Sequence, residues 1–269
     1  MQRLRKYAKA FELGVQTALE YRLNFLISLI SAVYPIVIQV FLWTAIYGGS
    51  SESALYGYTY QQMIAYTFLA GLAARLVHTG FEYDIMEEIK NGKYSTFLVQ
   101  PMGYFPYRLS AYLGGKLPNL GMILLVMAAV LIGLNAVWGV TVTAINVAIF
   151  LATLLLAIML NFLIFYCFSA IAFWIVEIGF LFEGIRIVTI LFSGGIFPLE
   201  VFGPTVMQVL NLLPFRYTVS FPLRVLNGQL TGAEIAQGVV MQVVWIALTA
   251  GLARLIWSLG GRRYVAVGG

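Results

Sequence analysis

Residues able to do chemistry are few here, and they cluster. Of eleven acidic side chains, Glu82, Asp84, Glu87 and Glu88 fall within seven positions of one another, and Lys90 and Lys93 follow directly. Ile85, Met86 and Ile89 can share one face of a short helix while Asp84, Glu87, Glu88 and Lys90 take the others. Asn91-Gly92 supplies a stop in the left-handed region, and Pro101 bars further regular helix. Long apolar runs flank this charged island on both sides. It reads either as a solvated loop helix or as a handle by which a soluble partner moves the apolar part of the chain. Charge patterning alone leaves both open.

Catalytic signatures are missing. A nucleotide-binding loop needs Gly, four residues, then Gly-Lys-Ser/Thr. At the nearest candidate, Gly115-Lys116, Ser110 stands at the first glycine position and Leu117 follows the lysine. No His-Glu-x-x-His, Cys-x-x-Cys or Gly-x-Ser-x-Gly occurs. His78 is the only histidine and Cys167 the only cysteine, so neither a metal cluster nor an internal disulfide is expected. Ionisable residues avoid the middle of the apolar runs, which argues against proton-driven transport and for energy supplied from elsewhere.

The surrounding elements follow from composition. The chain is 61% hydrophobic with a mean hydropathy of +0.89. Each backbone polar group in lipid must be satisfied internally, so the expected class is an all-α polytopic membrane protein. At ~20 apolar residues per crossing, 269 residues hold six transmembrane helices and no soluble catalytic domain. The net charge of +5 does not point to nucleic acid, because the basic residues sit at the ends of spans.

Residues 1–22 read as an amphipathic helix at the membrane interface. Leu4, Ala8, Phe11, Val15 and Ala18 form one stripe, and Arg5, Lys9, Glu12, Gln16 and Glu20 the other. Span 1 covers Leu23 to Tyr47 with a kink expected at Pro35, and span 2 covers Gln61 to Gly80. Residues 81–116 form the charged loop, and span 3 runs from Leu117 to Trp138. Span 4 lies within Thr143 to Val176, with its start unplaced. Glu177, Glu183 and Arg186 mark a short turn, with Glu183 and Arg186 spaced to pair. Span 5 runs from Phe180 to Gly194, and span 6 from Ala233 to Leu259. Between them, residues 194–232 carry Pro198, Pro204, Pro214 and Pro222. That stretch is too broken for one crossing and too apolar for an ordinary loop. Two short helices that dip into the outer leaflet and return satisfy both facts, with Pro204 and Pro214 near helix starts and Gly228 near a stop. Thirteen Lys and Arg fall on the proposed inner side and two, Arg216 and Arg224, on the outer, which puts both termini in the cytoplasm.

Several motifs resemble one family. Ile89, Gly92, Leu98 and Pro101 stand in I-x-x-G-x-x-x-x-x-L-x-x-P, and SGGIFPLE, LLPFRYTVSFPLRVLNG and the C-terminal GRRY follow later. Together with the interface helix and six spans, they resemble the membrane subunits of ABC-2 type (type V) ABC exporters over nearly the whole length. The likeness is to a bacterial subgroup with members similar to exporters of viologens and other cationic drugs. The resemblance implies one permease domain, residues 1–269, in the bacterial inner membrane, with membrane lipid around it. It implies two copies of an ABC ATPase, which hold ATP and Mg that this chain does not bind, and a second permease, a homologous but different chain. Asp84, Glu87, Glu88, Ile89, Asn91, Gly92 and Lys93 would form the ATPase-coupling helix. Tyr34, Gln39, Trp43, Tyr47, Tyr66 and Phe192 would line the substrate path, and Phe197, Pro198, Pro204, Pro214 and Pro222 the outer gate. The cargo implied is a small amphipathic or cationic drug-like or lipid-like molecule, as in multidrug efflux by a heteromeric complex. The alternative is a stand-alone proton-coupled carrier.

Overall fold

A computed structural model describes residues 2–50, 52–175 and 178–264. Helices dominate. α1 (Gln2–Glu20) and α2 (Arg22–Gly48) lead to a two-stranded hairpin of β1 (Ala54–Leu55) and β2 (Tyr58–Thr59). Then come α3 (Tyr60–Val77), α4 (Phe81–Lys90), α5 (Tyr94–Val99), α6 (Tyr104–Trp138) and α7 (Ala144–Ser169), which ends in a 3-10 turn, Ala170–Phe173. α8 (Gly179–Ser193), α9 (Gly203–Leu212), α10 (Ser220–Leu226) and α11 (Gly232–Arg263) complete the chain, with 3-10 turns at Leu199–Phe202 and Phe215–Tyr217. The hairpin turns on Tyr56 and Gly57, both at positive φ (55° and 82°), the geometry that suits a tight two-residue connection.

Among the described residues, four stretches are long and apolar enough to cross a membrane: Tyr60–Lys90, Tyr104–Trp138, Ala144–Phe173 and Gly232–Arg263. Val33–Gly48 is a shorter apolar helix, and α8 has 15 residues. The chain is therefore an all-α, multi-pass membrane protein. Its helix ends have local causes. Thr59 with Gln62 and Thr231 with Glu234 form reciprocal capping boxes at the starts of α3 and α11, and Thr143 caps α7. α6 stops where Gly139 turns left-handed at φ 66°.

Two boundaries differ from the sequence reading. The helix expected to start near Leu117 begins at Tyr104 and passes unbroken through Pro118. At 1.5 Å per residue its 35 residues extend about 50 Å, well beyond a hydrocarbon core of about 30 Å. Its early glycines, which look like breakers, serve a close crossing with α1. A Cβ on Gly114 would run into the backbone of Phe11, and one on Gly14 into Ala111 and Gly115. That crossing also turns α1: Ala10 is buried while Ala8 is exposed, so small residues rather than the larger apolar ones select the contact face. Glu183 and Arg186 lie within α8 rather than in a turn, and Glu177 falls outside the described residues, as does 265–269. α2 continues as helix through Pro35.

α3 is the buried centre. Met63, Tyr66, Leu69, Ala70, Ala73 and Leu76 pack among α2, α6 and α7. A second cluster, built on Phe81, Ile85, Phe162, Tyr166 and Phe182, lies around α4. α11 fits against both ends of the molecule through two glycine notches. The Phe221 ring occupies the place of a Cβ on Gly238, and the Phe173 ring that of a Cβ on Gly260. The notches are 22 positions apart, about 33 Å along the helix, so α11 is registered at two distant points. Gly238→Leu and Gly260→Leu each force a ring out of its seat. Each is expected to cost about 1–3 kcal/mol or more and to lower the thermal unfolding midpoint in detergent. Gly251→Leu, with nothing within 4 Å of its Cβ position, is the matched control that should leave the midpoint unmoved.

Candidate functional site

The charged helix is the best-wired short element of the protein. α4 begins after Gly80, carries Glu82 and Asp84 in its first turn and Lys90 in its last, and so complements its own dipole. Gly92 at φ 74° ends it, as Asn91-Gly92 forecasts. Phe81, Ile85 and Ile89 are buried against α7, with the Phe81 and Phe162 rings 4.6 Å apart. Asp84, Glu87, Asn91 and Lys93 are exposed.

Two polar arms tie α4 to its neighbours. On one side Arg186 of α8 donates to Glu82 at 2.7 Å, and Glu82 is 0% exposed. Tyr83 donates to Glu183 of α8, and Arg186 lies over the Tyr83 ring, 5.5 Å from its centroid. The Glu183–Arg186 pair read from spacing exists at 3.9 Å, but Glu82 is the nearer partner. On the other side Glu88 pairs with Arg108 of α6 and accepts from the Tyr104 hydroxyl at 2.7 Å. Arg108 also donates to that hydroxyl at 3.1 Å and reaches Asp84 at 3.6 Å. A third clamp sits at the α3–α4 elbow. Lys116 donates to the carbonyls of Arg75 (3.4 Å) and His78, capping the C-terminus of α3 from α6. Glu88 and Ile89 therefore face inward and position the helix, while Asp84, Glu87, Asn91 and Lys93 are presented outward.

The proline-bearing segment is pinned as firmly. Pro198 precedes one 3-10 turn, Pro204 opens α9, Pro214 opens the next 3-10 turn, and Pro222 sits in the first turn of α10. Gly228 follows α10 at φ 65°. Phe197 and Phe202 lie 5.8 Å apart. Glu200 faces Arg224 at 3.8 Å and accepts from Tyr58 at 3.5 Å, which joins the hairpin to this segment. From below, Gln242 of α11, 0% exposed, donates to the carbonyls of Tyr217 (2.9 Å) and Thr153 (3.0 Å). Gln242→Leu strips a buried carbonyl of its partner, a loss of about 1–3 kcal/mol. Amide exchange in residues 215–226 should quicken by about 5-fold or more, measured in lipid nanodiscs, while exchange in α3 stays unchanged.

The residues read as path-lining do not converge on one cavity. Tyr34 is 71% exposed on α2, and Gln39 is half-buried. Trp43 is buried edge-on to Tyr47, whose hydroxyl donates to the carbonyl of Tyr58 at 2.6 Å. Tyr66 donates to the carbonyl of Gly194 at 2.7 Å, holding the turn that ends α8, and Phe192 packs 6.1 Å from Phe202. None of the six lines the cleft of about 450 Å³ between Gln61, Gln62, Trp138, Thr141, Asn227 and Gln229, nor a smaller cavity of about 80 Å³ beside α8. Sequence reasoning missed Gln242 and Arg108 as anchors. The signal for Gln242 was a lone amide within a long apolar run. Arg108 carried none, since its carboxylate partners Glu88 and Asp84 are distant in sequence.

A family model described as ABC-2 family transporter protein matches residues 33–268. No curated protein and no solved structure matches the chain.

Proposed function

The chain belongs to the ABC-2 family of transporter proteins, and from that premise we propose that it is the membrane-spanning permease subunit of an ATP-driven exporter, moved by a separate ATPase through α4. The observation that carries this reading is the two-sidedness of α4. One face offers Asp84, Glu87, Asn91 and Lys93 to a partner, and the other is tied through part-buried ion pairs to α8 and α6. A helix built so can receive a push and pass it on without bending. The reading takes α2, α3, α6, α7, α8 and α11 as six spans, with both termini and α4 on the cytoplasmic side of a bacterial inner membrane. The count of basic residues supports that orientation.

In this account two ATPases, each holding ATP and Mg, close beneath two permease subunits, one of them this chain and the other a homologous different chain. Their closure pushes α4, and the ion pairs deliver the movement to α8 and to the long α6 with α1 crossed upon it. The path then lies between the two permeases. The exposed side of α2 with Tyr34, and α8 with Phe192, are the surfaces offered to it. The segment 198–228 forms a re-entrant outer gate hung from Gln242. The exposed aromatic and apolar surface of α2 suits a small amphipathic or cationic, drug-like or lipid-like cargo, with each cation–aromatic contact contributing about 0.5–2 kcal/mol.

Recovery of the tagged chain from native membranes in mild detergent tests the reading. A P-loop ATPase should be retained at about one per permease chain. A stable chain that never retains one contradicts the proposal.

A further inference from the structure

The small cavity beside α8 has an apolar lining of Ala74, Val77, Phe165, Ile190 and Val219, broken by a cluster of polar groups. The elbow contributes His78 and Thr79, α7 contributes Asn161, and α8 contributes Arg186, Thr189 and Ser193, which share one face at spacings of three and four. Three side-chain atoms of these residues are buried without a hydrogen-bond partner among the described residues, Asn161 Oδ1, Arg186 Nε and Thr189 Oγ1, and a fourth, Thr79 Oγ1, has only Glu82 beside it. Thr79 and Asn161 are each 3% exposed, and Thr189 is 6% exposed. Native interiors rarely leave such atoms bare, and here the residues that carry them border one space. The groups comprise two hydroxyls, one amide oxygen and one N–H, and the nearby charges of Glu82 and Arg186 neutralise each other. Such a set wants a neutral molecule that both donates and accepts. The volume of about 80 Å³ fits two to three waters at about 30 Å³ each.

We propose that this cavity is a bound-water site, and that the waters make the seat of α8 a hydrated joint on which α8 can shift while Arg186 stays tied to Glu82. A dry apolar contact holds a helix in discrete interlocked positions. A layer of water exchanges partners as the surfaces slide, and the polar stripe of α8 faces that layer. The role given to the movement rests on the permease reading above; the water site does not.

Hydroxyl-radical footprinting of the protein in lipid nanodiscs tests the site, because oxidation deep in a helical bundle needs water next to the side chain. Phe165 and Ile190 line the cavity, whereas Phe162, on α7 like Phe165, is fully buried in the dry core. Oxidation of Phe165 and Ile190 should exceed that of Phe162 by about 5-fold or more. Equal protection of all three overturns the proposal. Thr79→Val with Thr189→Val removes two of the four polar atoms at nearly constant volume. Labelling should fall to the level of Phe162 while the protein stays monodisperse, and labelling that persists means bulk access and overturns the bound site. In the complex the same variant should keep its ATPase but export about 10-fold more slowly. Unchanged export with a dried cavity overturns the joint. Failure of the parent chain to bind any ATPase would count against the permease reading alone, since footprinting needs no ATPase.

Discussion

Arg186→Met is expected to be among the most damaging single substitutions in this protein. It leaves the Glu82 carboxylate, 0% exposed, without its cation. Removing one partner of a buried pair costs about 3–5 kcal/mol, because the remaining charge stays desolvated. The folded yield should fall steeply, read as loss of the monodisperse peak after extraction. Adding Glu82→Gln removes the stranded charge and should restore most of the yield. The double variant then separates stability from transmission. It folds, but of the polar contacts from α4 to α8 only Tyr83–Glu183 is left, beside the apolar packing of Tyr83 on Phe182. Export should fall about 10-fold or more with ATPase binding retained. Full export by the double variant would mean that the pair holds the fold and transmits nothing.

The second large effect comes from the opposite face. Glu87 and Lys93 are exposed and make no ion pair within the chain among the described residues. Glu87→Arg with Lys93→Glu should leave the unfolding midpoint unchanged, since surface substitutions stay within about 0.5 kcal/mol. Reversal of both charges against a complementary surface costs several kcal/mol and should weaken ATPase association by about 100-fold or more, measured as retained ATPase per permease. Glu88→Gln is the informative contrast. Glu88 faces Arg108 and Tyr104 rather than solvent, so its loss should lower stability and spare association.

These contrasts show which parts of the site the sequence makes legible. The ends of α4 can be read directly, because Asn91-Gly92 and the flanking apolar runs are local signals. That Glu87 faces outward and Glu88 inward cannot be read: the two are adjacent and chemically alike, and Arg108 lies twenty positions away. The apolar runs are equally plain, and α2, α3, α8 and α11 begin and end within a few residues of the expected places. The start of α6 is not, because Gly114, Gly115 and Pro118 carry the marks of a loop. Only the crossing with α1 explains the glycines, and contacts between distant segments leave no local trace. The prolines of 198–222 forecast short helices correctly, whereas the amide that pins them, Gln242, lies in another helix. The apolar stripe of α1 is legible in the same local way, but the face that meets α6 through Gly14 is not, because the partner surface decides it.

The central claim is that α4 meets the ATPase and passes its movement inward. Site-directed photo-crosslinking in native membranes tests it most directly, with the photoreactive residue placed at Glu87 and, for comparison, at Val137 near the far end of α6. The account predicts a permease–ATPase adduct from position 87 and none from position 137. An ATPase that co-purifies with the chain yet gives no adduct from position 87, or an adduct from 137 instead, would contradict it.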